Sequence, residues 1–407
     1  MRTQALRAIA ECRQIAAMSE DPERITRRFL TPPMHKVHAL LSDRMEGLGM
    51  TVRVDAAGNL RGLWQPAGAS NKRLVMGSHI DTIPDAGAFD GVLGVVIALE
   101  WVEIARDLDF PLAIEVIAFS EEEGVRFGVP FIGSRAVAGR FDPALLNCED
   151  SQGITLQAAI RDFGLDPALI EDAALDQDAI GFVEIHIEQG PVLESEGLGL
   201  AVVSGIVGQT RLTFEFTGHA NHAGTTPMRL RQDAMAAAAE WITQVESLAL
   251  ATEGLVATVG KVDVEPNVGN VVPGKALVSL DVRHAHDASR SHAVENLVEK
   301  ANAIAERRGL ALQRTDLFDQ PAVPMDERLT SFLADAIEAT GMPPQQMTSG
   351  AGHDAMVMAA RVPAAMLFLR SPGGISHHTA EAVREEDVEA ALRVGRKFLE
   401  RLAAGTR

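Results

Sequence analysis

The sequence predicts an α/β protein: a main domain with helices on both faces of a sheet, interrupted by a smaller α+β domain. Three observations carry this reading. Apolar runs such as Leu74 to Met76, Ile114 to Phe119 and Val362 to Leu369 are near-continuous, the pattern of strands buried from both sides. Stretches with helical apolar spacing alternate with them. From 208 to 317 the strands instead alternate apolar and polar residues, in the order β–α–β–β–α–β of a compact open sandwich. The first texture returns afterwards. Residues 1–207 and 318–407 therefore form one discontinuous domain, and 208–317 the insert.

Composition bounds the function. The chain has 407 residues, 46% of them hydrophobic, ample for a sizeable core. A formal charge of −19 argues against nucleic acid, because phosphate binding needs a basic face. Cys12 and Cys148 form no Cys-x-x-Cys pair, so neither a disulfide framework nor a cysteine-rich zinc site is expected. The N-terminal stretch mixes charge with apolar residues, unlike a signal peptide, and no window approaches about 18 apolar residues. A cytoplasmic protein away from the membrane is expected. No G-x-G-x-x-G follows the first strands, which sets aside a Rossmann dinucleotide enzyme. There is no tyrosine to serve as acid, base or oxyanion donor.

Taken in order, residues 3–18 and 32–48 read as helices, the second starting at Pro32-Pro33 with the stripe Val37, Leu40, Leu41, Met45. Residues 51–54 and 59–64 form a hairpin around Asp55-Ala-Ala-Gly58. Strand 73–77, a Gly-rich loop and helix 92–108 make a strand–loop–helix unit. Strand 111–119 follows, then an acidic, irregular tract of helical excursions over 141–180 and a strand over 182–190. In the insert, strands cover 211–217, 255–264, 275–284 and 311–317, and helices 229–250 and 288–307. Beyond it come helix 327–340, the Gly-rich loop Ser349-Gly-Ala-Gly-His-Asp-Ala355, strand 362–369 and a final helix over 385–403.

Chemistry gathers at the strand ends, where open α/β sheets bind ligands. His79 and Asp81 stand two apart in an extended segment and so share a face, which lets Asp81 orient one ring nitrogen and leave the other for a metal. Asp90 follows in a loop that Gly87 and Gly91 allow to fold back. The plain alternative is a buried His79–Asp81 pair with Asp90 capping the helix. Glu121-Glu-Glu123 ends the next strand. It is either a solvated charge run or a like-charge cluster that a cation relieves. His186 shares a strand face with Glu184 and Glu188, as a satisfied core histidine or as a ligand. His377 and His378 end the last strand segment. Together these supply three imidazoles and several carboxylates from one sheet edge, an inventory that suits two ions such as Zn²⁺ or Mn²⁺.

The motifs Gly77-Ser-His-Ile-Asp-Thr, Phe89-Asp-Gly, Glu121-Glu-Glu-Gly-Val-Arg-Phe, His186-Ile-Glu-Gln-Gly-Pro, His222-Ala-Gly-Thr-Thr-Pro-Met, Asn270-Val-Val-Pro-Gly and Gly374-Ile-Ser-His resemble the amidase/hydantoinase/carbamoylase family. This branch of the dinuclear-zinc aminoacylase and carboxypeptidase superfamily includes N-carbamoyl-L-amino-acid hydrolases and allantoate amidohydrolases. The resemblance implies a mixed-sheet, zinc-exopeptidase-like catalytic domain and an inserted dimerisation domain that closes over the site. It implies that His79 and His186 bind one metal, Glu123 and His377 the other, and that Asp90 bridges. Zn²⁺ or Mn²⁺ is expected, with Co²⁺ or Ni²⁺ also compatible. Glu122 falls at the place of the base, Asp81 orients His79, and His222 donates to the oxyanion. Arg283 and Asn270 match residues that hold a substrate carboxylate, and Gln189 and Gln209 match further contacts. The alternative for Arg283 is a surface ion pair. Glu121, His219 and His353 receive no role.

The function expected is hydrolysis of a ureido C–N bond in N-carbamoyl-L-amino acids or allantoate by a homodimer, releasing ammonia and CO₂. An N-acyl amino acid deacylase or dipeptidase of the same superfamily is the alternative, and His186 in place of a carboxylate ligand counts against it. A metal-dependent binding protein without turnover is the reading from another class. It has no need for an unliganded Glu122.

Overall fold

The computed structural model describes residues 1–405. In chain order its elements are α1 (Arg2–Ala16), α2 (Pro32–Gly47), β1 (Thr51–Val54), β2 (Leu60–Trp64), β3 (Ser70–His79), α3 (Val92–Asp107), β4 (Leu112–Phe119), α4 (Ile132–Val137), α5 (Leu156–Asp162), β5 (Ala179–Ile187), α6 (Val192–Ser195) and β6 (Leu200–Ile206). Then come β7 (Gly208–Thr217), β8 (Asn221–His222), α7 (Ala234–Ala251), β9 (Val256–Thr258), β10 (Val262–Glu265), β11 (Val271–Val272), β12 (Lys275–His284), α8 (Asp287–Arg308) and β13 (Ala311–Gln320). The chain closes with β14 (Val323–Pro324), α9 (Glu327–Glu338), β15 (Gln346–Ser349), α10 (Asp354–Met358), β16 (Ala364–Leu369) and α11 (Glu385–Ala404). Two compact units result among the described residues: 1–204 with 325–405, and Gly205–Pro324.

In the first unit the sheet runs β1-β2-β4-β3-β5-β16-β6, with β15 also on β6. Its centre, β4-β3-β5-β16, is parallel, and β1, β2 and β6 pair antiparallel at the flanks. Every residue of β4 and β16 is buried, so both faces are covered, as their unbroken apolar runs require. Helix α3 lies along β3, β4 and β5 with α1 and α11 outside it, while α10 packs on β5, β16 and α4. Glu115, the one charge within β4, meets buried Arg61 at 2.7 Å. The parallel register brings His79 level with Phe119, and His186 level with Phe368. The site segments therefore leave one edge of the sheet together.

The second unit is an antiparallel sheet, β10-β12-β7-β13 with β9 on β12, under α7 and α8. In β12, Ala276, Val278, Leu280 and Val282 face the core, and Trp241 of α7 wedges between Phe214 and Phe216. The Trp241 indole donates to the Leu297 carbonyl at 2.9 Å. This unit opens and closes on a short pairing of Ile206 with Val323 and Gly205 with Pro324.

Several boundaries differ from the sequence reading. The helix expected from Arg229 begins at Ala234, because the Asp233 carboxylate caps the Ala236 N–H and Arg231 ties its guanidinium to the Thr226 and Ala223 carbonyls. The strand expected over 255–264 is two pieces separated at Val259–Lys261. Strand β6 was not expected at all, and the loop at 349–355 includes the end of β15 and the start of α10.

One buried group gives this fold a pH dependence. His38 of α2 is buried edge-on against Phe163, and its Nε2 has no hydrogen-bond partner. Burial, then the neighbouring His35, lowers its pKa to about 4. The folded state therefore keeps the ring neutral while the unfolded chain takes up a proton below its ordinary value of about 6.5. Stability should fall as pH drops from about 6.5 toward 4, by about 2 kcal/mol at pH 5 for this group alone. Urea midpoints at pH 5 and pH 7 check it: His38→Leu should flatten the slope, and an unchanged slope would refute the assignment.

Candidate active site

The parallel strands deliver the site residues to a cavity of about 350 Å³ lined by His79, Asp90, Glu122, Glu123, His186, Gln189, Ala351, Gly352, His353, Ser376 and His377. At its centre the buried Asp90 faces three imidazoles. Oδ1 lies 3.4 Å from His186 Nε2 and 3.9 Å from His79 Nε2, and Oδ2 lies 3.2 Å from His377 Nε2. The two oxygens of one carboxylate thus serve different partners.

The rings are held from behind. His186 Nδ1 donates to the Ile187 carbonyl at 2.8 Å, and His79 Nδ1 to the Asp81 carbonyl at 3.1 Å. In their neutral forms, both then present Nε2 lone pairs to each other, 3.5 Å apart, with Asp90 beside them. Asp81 departs in part from the sequence expectation. Its backbone carbonyl is nearer to His79 than its carboxylate, which is 3.5 Å away. That carboxylate instead accepts the Glu122 N–H at 3.0 Å and the Glu123 N–H at 3.1 Å, locking the acidic turn to the His79 strand end.

Glu123 stands 3.7 Å from His377 Nε2. His377, and not His378, faces Asp90; the exposed His378 accepts the Ala380 N–H. His377 (φ +55°) and Gln189 (φ +59°) both take the left-handed backbone conformation, a cost tolerated where side chains must be aimed. The Gln189 amide donates to Asp90 Oδ1 at 3.0 Å. His353 is buried, its ring 4.5 Å from His186 and its Nε2 2.8 Å from Ser349 Oγ. Glu121 is buried with no well-directed hydrogen bond to its carboxylate, and His219 is exposed.

The carboxylates and imidazoles of the cluster perturb one another strongly. Burial raises Glu122 well above the carboxylate range and lifts Glu123 to about 7, where Asp90 adds to the effect. Burial opposes ionisation of Asp90, but the His377 hydrogen bond and the surrounding imidazoles hold it well below its ordinary value. Burial lowers His186 to about 4; it also draws His79 down, yet Asp81, Glu122 and Asp90 outweigh it and leave His79 well above the histidine range. Two overlapping N/O groups, His79–Asp90–His186 and Asp90–Glu123–His377, have donor atoms within 4.8 Å of one another and share Asp90. Nitrogen and carboxylate donors in this mix suit borderline divalent cations, which would relieve the carboxylate repulsion.

The other expected residues lie in the second unit. β8 pairs with β11, so His222 is opposite Val271, and the Asn270 carbonyl accepts the Ala223 N–H at 2.9 Å. His222 Nδ1 accepts the Gly224 N–H at 3.1 Å, which leaves Nε2 as the protonated donor of the neutral ring. Gln209 faces Arg283 across β7 and β12. Both side chains bond to Asp281: the Arg283 fork at 2.9 and 3.0 Å, the Gln209 amide at 2.6 Å.

Residues 75–401 match the peptidase family M20/M25/M40. The chain belongs to this family. It is 37% identical to the allantoate deiminase of Arabidopsis thaliana, over 97% of this chain and 81% of that protein. It is also 37% identical to the N-carbamoyl-L-amino acid amidohydrolase of Geobacillus stearothermophilus, over 94% of each. A solved amidase of the hydantoinase/carbamoylase family from Burkholderia multivorans superposes with a TM-score of 0.92 at 31% identity, covering 98% of this chain and 97% of that one. The M20 chain described here is a hydrolase acting on non-peptide C–N bonds.

Sequence reasoning missed Glu381, Ser376 and Arg27. Buried Arg27 donates to the Ile80 carbonyl at 2.6 Å and steadies the strand end beside Asp81. Gly91 (φ +64°) carries a further constraint, since a Cβ there would lie 2.4 Å from His79 Cδ2. Gly91→Ala should displace the imidazole and lower kcat/KM about 100-fold while leaving the far-ultraviolet circular dichroism unchanged. Near wild-type kcat/KM would show that the His79 position is not critical.

Proposed function

We propose that this M20 hydrolase cleaves the ureido C–N bond of a carboxylate-bearing substrate, releasing ammonia and CO₂. The observation that carries the proposal is the sharing of Asp90 between two donor groups, with Glu122 beside them on the cavity wall. His79 and His186 would hold one divalent ion, Glu123 and His377 a second, with Asp90 bridging; Zn²⁺ or Mn²⁺ fits these donors. Bound there, such ions supply Lewis acidity, polarising the carbonyl and making water acidic enough to ionise near neutrality.

The remaining roles belong to side chains. Glu122, assigned to neither ion, takes the proton from water and passes it to the leaving nitrogen. Asp81 holds Glu122 and Glu123 by their backbone N–H groups. His222 donates from Nε2 to the developing oxyanion. Arg283 offers its fork, with Asn270 and Gln209, to the substrate carboxylate, while Gln189 contacts the ureido end. The inserted unit serves as the homodimer contact in this reading.

Ammonia release tests the proposal. Chelator-stripped protein would be assayed with allantoate and a panel of N-carbamoyl-L-amino acids, with and without Mn²⁺ or Zn²⁺. The expected outcome is metal-dependent ammonia from allantoate or from an N-carbamoyl-L-amino acid. Glu122→Gln should lower kcat by about 10²–10⁴-fold while keeping its metal. No ammonia from any ureido acid by metal-loaded protein would turn the assignment to N-acyl amino acids and dipeptides.

A further inference from the structure

Two loops meet at the metal-binding groups, one carrying Asp90 and the other His377. They stand far apart in sequence and neither belongs to a strand or an α-helix. A single carboxylate joins them. Glu381 Oε1 accepts the Phe89 N–H at 2.8 Å and the Asp90 N–H at 3.0 Å. Its Oε2 accepts the Ser376 hydroxyl at 3.0 Å. Ser376 directly precedes His377, and its oxygen also accepts the Gln189 amide at 3.3 Å. The same amide bonds Asp90 Oδ1. Packing adds an independent observation: a Cβ on Gly87 would lie 2.2 Å from Glu381 Oε1, so the Asp90 loop closes directly onto this carboxylate. Glu381 is itself buried.

We infer that Glu381 is a positioning residue, a strut that fixes the Asp90 and His377 loops against each other and so governs the metal position formed by Asp90, Glu123 and His377. This rests on the two-ion reading above. The position pairing His79 with His186 depends less on the strut, because both rings are anchored to backbone carbonyls at strand ends. Partners of this kind typically alter metal affinity about 10–100-fold.

The test counts ions. Wild type, Glu381→Ala and Glu381→Gln would be stripped, reloaded with Mn²⁺ or Zn²⁺, analysed for ions per chain by mass spectrometry and titrated by calorimetry. Wild type should take two ions. Glu381→Ala should keep the first and bind the second about 10–100-fold more weakly. The amide of Glu381→Gln can still accept both loop N–H groups and donate to Ser376, so it should restore the second ion. Two ions of wild-type affinity in Glu381→Ala, or equal failure of Gln and Ala, would overturn the inference alone. Fewer than two ions in wild type would overturn the two-ion reading and this inference with it. If Glu381→Ala does not fold, Ser376→Ala cuts the strut at its other end and must also weaken the second ion; an unaffected second ion would overturn the inference.

Discussion

Everything at the site depends on one carboxylate shared by three imidazoles. Asp90 sits where β3, β5 and the last loop converge, with Oδ1 turned to His79 and His186 and Oδ2 to His377. An unpaired buried charge is costly, and a carboxylate beside Glu122 and Glu123 is costlier still. The surrounding groups therefore hold Asp90 in place: β-strand ends fix two of the rings, Gln189 fixes Oδ1, and Glu381 fixes the Asp90 backbone. The parallel sheet makes this convergence possible, because parallel strands bring all their C-terminal ends to one side.

The two units are built differently. The first combines fully buried strands, backbone-anchored imidazoles and a cavity lined by carboxylates and imidazoles. The second is an antiparallel sheet whose polar face carries Gln209, Asp281 and Arg283 as one hydrogen-bonded group. Asp281 holds the Arg283 guanidinium and the Gln209 amide oriented together.

Much of this was legible in the chain. The apolar runs of β4 and β16 announced a doubly covered sheet because burial on both faces leaves no polar period. That His79, Asp90, Glu122, Glu123, His186 and His377 would gather at one cavity could be read because each ends or follows a strand and carries a metal-ligating or acid–base side chain. What stayed hidden was non-local. Glu381 acts on Phe89 and Asp90 through backbone N–H groups, and no pattern in either segment marks that pairing. The Asp81 carboxylate likewise grips backbone of the acidic turn, where spacing alone pointed to the imidazole. Strand β6 was lost because a short apolar run between Gly199 and Gly205 has no period long enough to distinguish strand from loop.

The measurement that tests the central claim most directly is anomalous diffraction from crystals loaded with Mn²⁺ or Zn²⁺. A carboxylate bridging two ions predicts two anomalous peaks about 3.5–4 Å apart, each beside a different oxygen of Asp90. One peak, or two peaks of which only one touches Asp90, would contradict the account.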